Sequence, residues 1–399
     1  MPQPVLYLTH RVPFPPDKGD RIRNFHLLRQ LARRGRVWLG CLADEPAGAE
    51  VENELRRLCE RVAVVPVSGK VRWVRAGFSL VTGGSLSEGA FTEPGLRQVV
   101  RWWAAETRFT AAVVSASSMA PYLRLKELAD VPKVVDLVDV DSQKWLDFAA
   151  TARGPKRWLY RLEGQRVRKL EGNLPRWTRA VAVVSRAEAD VFESYAGHGT
   201  MTVATNGVDL DYFAPIDGPT ERACAFVGAM DYLPNVDGAV WFAREVWPRV
   251  LTRFSGAEFR IVGRKPVAAV QELAALPGVK VVGQVPDVRP HVASAAVVVA
   301  PLRLARGIQN KVLEALAMGK AVVAAPPALA ALAAEPGQHL LAATPPEQWA
   351  DAVGGLFADP RRRAELGAAG RRFVEEHHHW DRCLEPLLNA IFAPAAGRA

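Results

Sequence analysis

The sequence has no run of about 18 uninterrupted apolar residues, so no stretch of it reads as a membrane-spanning helix. Its opening, MPQPVLYLTHRVP, lacks the basic-then-apolar form of a secretory signal. Together these absences predict a cytoplasmic chain that is soluble or rests on a membrane surface. Cysteine is scarce. Cys41, Cys59, Cys224 and Cys383 are far apart and form no C-x-x-C pair, which argues against a disulfide framework or a zinc-thiolate site and leaves buried free thiols. The run His377, His378, His379 has no i,i+4 ligand spacing, so it reads as a junction between helices and no metal is expected there. Zinc-finger spacing and RNP-like runs are also missing, and nucleic acid is not an expected partner.

What is present is a globular composition, 49% hydrophobic and 23% charged, in a chain of 399 residues, long enough for two domains with separate cores. The net charge of +9 is unevenly placed. Between Arg153 and Arg179 nine basic residues stand against Glu163 and Glu171, a local +7. Leu159, Leu162, Val167, Leu170 and Leu174 recur there at roughly helical spacing, with Trp158 and Trp177 near the ends. Residues 153–179 therefore read either as a basic amphipathic helix for an anionic membrane surface or as an ordinary surface helix packed on its own domain.

The stretch Pro301 to Ala325 carries the most chemistry. Ala295 to Ala300 is a β-branched run suited to a buried parallel strand, Asn310 to Met318 has apolar residues at helical spacing with Gly319 to stop it, and a strand resumes at Ala321. Between them Arg303 to Gln309 is a basic, glycine-containing loop that ends at a helix start, where free N–H groups and the macrodipole favour phosphate. Glu314 lies one turn further in, placed to accept hydrogen bonds from the vicinal hydroxyls of a ribose.

The rest of the chain alternates strand and helix, as an α/β protein with mainly parallel sheets does. Val5 to Thr9 is a first strand, followed by the long loop HRVPFPPDKGD with His10, Asp17, Lys18 and Gly19, and then by a helix with Asp20 as N-cap and Gly35 as stop. Asp136, Asp139 and Asp141 follow a strand from Val134. Asp-x-Asp can hold a divalent cation, but no second acidic or histidine cluster completes a shell. Carboxylates at a strand end more simply bind substrate hydroxyls, and Asp141 with Ser142 also suits an N-cap. The passage around Asn206 and Gly207 is the domain junction. Beyond it, Gly228 and Gly263 end strands and let the backbone approach a ligand, with Arg264 and Lys265 directly after.

These residues resemble the GT-B glycosyltransferases, in particular the retaining family 4 group, over nearly the whole length. Asn206 to Asp209 with Phe213 and Pro215, Gly283 to Pro301, and Gly307 to Gly319 carry the likeness. Within the family the sequence looks closest to transferases of bacterial exosortase (PEP-CTERM) exopolysaccharide systems, through Pro13 to Arg21, Asp136 to Ser142 and Gly307 to Lys311.

The resemblance implies two Rossmann-like domains facing across a cleft: 1–205 for the acceptor, 206–376 for the donor, and a helix at 377–399 returning to the first. It implies no cofactor, a nucleotide diphosphate sugar (UDP- or GDP-linked) as donor, and a glycan or lipid-linked acceptor, at the inner face of the cell membrane. Donor contacts would come from Glu314, Gly307, Ile308, Gln309, Asn310, Arg306, Gly228, Gly263 and Lys265. Acceptor contacts would come from His10, Asp17, Lys18, Gly19, Asp136 and Asp141, and catalysis would fall to Asp139, Arg264 and Lys311. Glu314 matches the second glutamate of the family's pair, the one on the ribose, whereas the first falls at Arg306. The basic residue that relatives place after the donor domain's first strand is missing, since Ala229, Met230 and Asp231 follow Gly228. Arg264, Lys265 or Lys311 would supply that charge, and His10 or Asp139 would stand in for a histidine that has no match at Ser115 to Ser118. A nucleotide-sugar epimerase on the same fold and a catalytically inactive membrane scaffold are the alternatives.

Overall fold

The computed structural model describes residues 3–17, 19–44, 46–67, 69–197, 199, 201–305 and 307–394. Lys18 and Arg306 lie outside the described residues. The chain divides into two compact units: Met1–Thr205 with Leu384–Ala399, and Asn206–Cys383.

The first unit is built on seven parallel strands: β1 (Gln3–Thr9), β2 (Gly35–Ala43), β3 (Arg61–Pro66), β4 (Ala111–Ser115), β5 (Lys133–Val138), β6 (Ala180–Val183) and β7 (Met201–Val203), in the order β3-β2-β1-β4-β5-β6-β7. Val5 pairs with Val37 on one side and Ala111 on the other. Strands covered by helices on both faces have no polar side, which is why β1 and β4 read as continuous apolar runs. One face is filled by Leu6, Leu8, Trp38, Leu96, Val100 and Trp103 among others. The Gly19–Arg34 helix starts one residue before Asp20, so Asp20 lies in the first turn and does not cap it. Gly35 begins β2 directly, and the helix runs into the strand without a loop.

The second unit has six parallel strands: β8 (Glu221–Val227), β9 (Glu258–Val262), β10 (Val279–Gly283), β11 (Ala295–Ala300), β12 (Ala321–Ala324) and β13 (Leu341–Ala342), in the order β10-β9-β8-β11-β12-β13. Its first long helix, expected from Val236 to Leu251, runs from Leu233 to Arg253 and widens to a π-turn at Phe242–Val246. In both sheets the strand order reverses once, at β1/β4 and at β8/β11. Ligands of open parallel sheets bind at the carboxyl ends of such a pair, where two successive loops part.

The Trp380–Phe392 helix begins in the second unit and ends in the first, where Leu384, Leu387, Leu388 and Ile391 are buried. Arg34 there pairs with Glu385, and Arg179 donates to the Ala393 carbonyl at 2.7 Å. All four cysteines are free and buried. No helix among the described residues is long and apolar enough to cross a membrane.

Candidate active site

In the second unit the reversal at β8/β11 places two loops side by side, Gly228 to Tyr232 after β8 and Pro301 to Gln309 after β11. Gly228 and Gly263 are needed by close approach: a β-carbon at Gly263 would fall 1.7 Å from the Gly228 carbonyl oxygen. One at Gly228 would fall 2.7 Å from Asn235 Nδ2 and 3.2 Å from Lys311 Nζ. The two glycines thus make room for a polar cluster. Lys311 Nζ donates to Asn235 Oδ1, and Asn235 Nδ2 donates to the Ala229 carbonyl at 2.9 Å.

Lys311 is in the first turn of the Asn310–Ala317 helix, and Glu314 is one turn on, on the same face. Burial pushes the Lys311 ammonium down to about 8, against the pull of Glu314. Burial likewise pushes the Glu314 carboxyl up to about 7, and Lys311 opposes it. Burial thus disfavours the charged form of both groups, one turn apart on the helix, and leaves them poised to respond to an incoming charge.

Gly307, with φ 62°, and Ile308 are buried in the loop, and Gln309 caps the helix through its backbone only. Asn310 Oδ1 accepts from Asn206 Nδ2 at 3.1 Å, which ties the helix start to the start of the unit. Arg303 is held by Asp237 and lies over Trp241, so its charge is already countered. Arg264 is half-buried, and Lys265 is exposed with φ 52°. Asn235 escaped the sequence reading because it sits in a loop-like YLPN string. The only available signal was a polar residue one turn past a strand-end glycine.

At Asn206-Gly207 a tight turn is the simplest expectation, but the glycine serves a close crossing. A β-carbon at Gly207 would lie 2.7 Å from the Trp380 nitrogen and 2.9 Å from the His378 carbonyl oxygen. Val208 donates to that carbonyl at 2.8 Å, and the buried His378 ring bonds the Asn206 carbonyl at 2.8 Å. The histidine run is therefore part of the anchor of this passage.

In the first unit the strand-end residues separate. Asp136 is fully buried, and its two oxygens accept from Arg23 Nε at 2.7 Å and Nη2 at 3.0 Å. Arg23 also donates to the carbonyls of Ala204 and Thr205. Asp136 thus holds the unit together and is not available as an acceptor ligand. The three carboxylates part because β5 ends at Val138 with φ 69°, a strained value for a β-branched residue.

Past that kink Asp139 is half-buried, with Oδ1 lacking a hydrogen-bond partner. Burial, with Glu188 nearby, pushes its carboxyl up to about 6. Asp141 is inside the Asp141–Thr151 helix, capped by Val140, and accepts from Ser117 Oγ at 2.8 Å, so the N-cap expectation is corrected. Behind it Glu171, raised to about 7 by burial and Asp141, accepts from Tyr195 at 2.8 Å. His10 Nε2 and Arg11 both contact Asp20, at 3.2 and 3.0 Å. Burial alone would raise the Asp20 carboxyl, but His10 and Arg11 hold it well below the usual carboxylate range. Asp17 pairs with Arg21 at 3.1 Å, and Gly19 opens the helix. His10, Asp139 and Asp141 remain as side chains near the β1/β4 reversal, after β1 and after β5.

Residues 221–359, which contain β8 to β13 and the whole Gly228, Asn235, Lys311 and Glu314 cluster, match the sequence model of the family described as Glycosyl transferases group 1. The second unit carries a group 1 glycosyltransferase domain. Solved glycosyltransferase structures match over nearly the whole chain. Sucrose-phosphate synthase from Thermosynechococcus elongatus is 16% identical with a TM-score of 0.72, covering 98% of this chain and 100% of that one. Anabaena HepE, in complex with UDP and glucose, is 15% identical with a TM-score of 0.69, covering 97% and 98%. WaaG, a glycosyltransferase involved in lipopolysaccharide biosynthesis, is 14% identical with a TM-score of 0.67, covering 98% and 100%. At these identities the likeness establishes the fold, two Rossmann-like units of the GT-B type. No curated protein matches the chain in sequence. The group 1 domain begins at β8, the strand whose end bears Gly228, so the polar cluster lies wholly within it.

Proposed function

We propose that the chain transfers a sugar from a UDP- or GDP-linked donor to a hydroxyl acceptor, with the donor held in the group 1 domain. The observation that carries this reading is the Lys311–Asn235 pair behind Gly228, with Glu314 one turn away, at the sheet reversal. In such a transfer the bond from the anomeric carbon to the diphosphate breaks, and a bond to the acceptor oxygen forms. Negative charge builds on the β-phosphate as this happens. Lys311, Arg264 and the N–H groups from Gly307 to Gln309 are the groups assigned to that charge, and Glu314 is assigned to the ribose hydroxyls. Loss of one such donor costs about 3 kcal/mol of transition-state stabilisation.

The retaining course rests on the resemblance to family 4, in which the leaving phosphate accepts the acceptor's proton. Asp139 is assigned as the acceptor-side carboxylate, with His10 and Asp141 beside the acceptor. A lipid-linked or polysaccharide acceptor in exopolysaccharide assembly, of the exosortase-associated kind, and work at the inner face of the membrane complete the reading. HepE holds UDP in the same fold, which supports UDP as the first nucleotide to try. A thermal-shift screen of UDP, GDP and their sugars tests it, because a ligand that binds only the folded state raises the melting temperature. The matching donor sugar should be consumed with acceptor by the unaltered chain and not by Glu314→Ala. Undiminished turnover in that variant would sink the assignment.

A further inference from the structure

The Gly69–Val81 helix of the first unit exposes a row of large apolar side chains. Val71, Trp73, Val74, Phe78 and Val81 are 51%, 65%, 72%, 71% and 87% accessible. At about 100° per residue they fall within an arc of roughly 160°, shared only with Lys70 and Gly77. The helix contains no acidic residue. Single exposed apolar residues are ordinary, but five on one helix face form a patch that calls for a partner.

Val74 and Phe78 also line a groove of about 730 Å³ whose other walls include Pro121, Leu125, Arg97 and Arg124. Two carboxylates nearby are occupied. Glu93 pairs with Arg75 at 2.5 Å, and Glu88 closes the capping box of the Leu86–Phe91 helix. Arg97 Nε is buried without a hydrogen-bond partner, and the Arg124 guanidinium lies 5.1 Å from the Trp177 ring centre.

The neighbouring Pro155–Asn173 helix completes the surface. Arg166 donates to the Gly83 carbonyl at 2.7 Å, and Glu163 accepts from the Leu86 and Ser87 N–H groups at 2.6 and 2.8 Å. Both carboxylates of this helix, Glu163 and Glu171, point inward, as do Val167 and Leu170. Lys156, Arg157, Arg161 and Lys169 face outward. This helix therefore packs Val167 and Leu170 on its own unit and offers charge together with one exposed apolar ring, Trp158, while the Gly69–Val81 helix offers the larger apolar face.

We infer that this side of the first unit docks on an anionic bilayer, with the Gly69–Val81 helix in the headgroup–acyl boundary and a lipid phosphate in the groove at Arg97 and Arg124. Amphipathic helices bind there through apolar area together with attraction to anionic lipid, and Trp is at home at that depth. The inference rests on the membrane part of the proposed function and is independent of the donor chemistry.

The test is co-sedimentation of the full chain with phosphatidylcholine vesicles, with and without phosphatidylglycerol. The unaltered chain should bind the anionic vesicles and lose most of that binding at high salt. Val74→Ser with Phe78→Ser should weaken binding at least about tenfold, because both side chains lose their apolar burial. Arg97→Gln with Arg124→Gln should remove the preference for phosphatidylglycerol. The UDP-induced melting shift should be the same in all three proteins, so a failure of the donor reading would show separately. Absence of binding to anionic vesicles, binding that neither double variant weakens, or a dimer of this chain that the Val74, Phe78 variant dissolves would each overturn it.

Discussion

Glu314→Gln should make the protein unable to use its donor and, at pH 8, more stable. The folded state holds the Glu314 proton up to about pH 7, against an ordinary value of 4.5. A carboxyl raised in this way adds no cost below pH 4.5, and its ionised form weighs fully against folding above pH 7. The step from 4.5 to about 7 corresponds to about 3 kcal/mol. Lys311 moves the other way, from 10.5 down to about 8, so its cost is absent above pH 10.5 and complete below pH 8. Removing the carboxylate also removes the charge that supports Lys311, which leaves a net gain of about 1–2 kcal/mol. At about 2–4 °C per kcal/mol for units of this size, melting should rise by roughly 2–8 °C at pH 8 and change little at pH 5. Scanning calorimetry of both proteins at the two pH values, with and without UDP, gives the answer. A Gln variant that melts lower than the parent at pH 8 while matching it at pH 5 would refute the reasoning. A donor site that carries a strained charge pair in the absence of its ligand is one form of the exchange between stability and activity.

Two other outcomes follow from the same geometry. Gly263→Ala would place a β-carbon 1.7 Å from the Gly228 carbonyl oxygen, so chemical denaturation should show a loss of about 3 kcal/mol, and an unchanged midpoint would show that the two loops are not in contact. Asp139 should give the transfer rate an acid limb near pH 6, rising with pH as the carboxyl ionises. Asp139→Asn should lose that limb along with about a hundredfold in rate while melting no lower at pH 7, and a parent profile that is flat from pH 5 to 7 would remove Asp139 from the chemistry.

The central strands were readable because they are covered on both faces, so Ala295 to Ala300 and Ala111 to Ser115 are unbroken apolar runs of the right length. The Pro301 to Ala325 unit could be placed from its helical spacing and its bounding glycines. Side-chain pairings were not readable. Lys311 meets Asn235 across 76 residues, and Arg23 meets Asp136 across 113, and nothing local distinguishes a carboxylate buried against an arginine from one left for a ligand. Asp136, Asp139 and Asp141 show the limit well. They look alike in sequence, and a single backbone kink at Val138 sends them to three different environments. The exposed helix from Gly69 to Val81 was missed for the opposite reason. Its apolar spacing is that of a core stripe, and only the packed structure shows that nothing among the described residues covers it.

The path of the last helix bears on how the chain is made. Leu384, Leu387, Leu388 and Ile391 belong to the core of the first unit, although some 180 residues of the second are translated before them. A nascent chain therefore reaches the end of the second unit with the first still lacking its closing helix. Its apolar seat stays open to chaperones for most of synthesis, and a fragment cut at Thr205 would keep it open permanently.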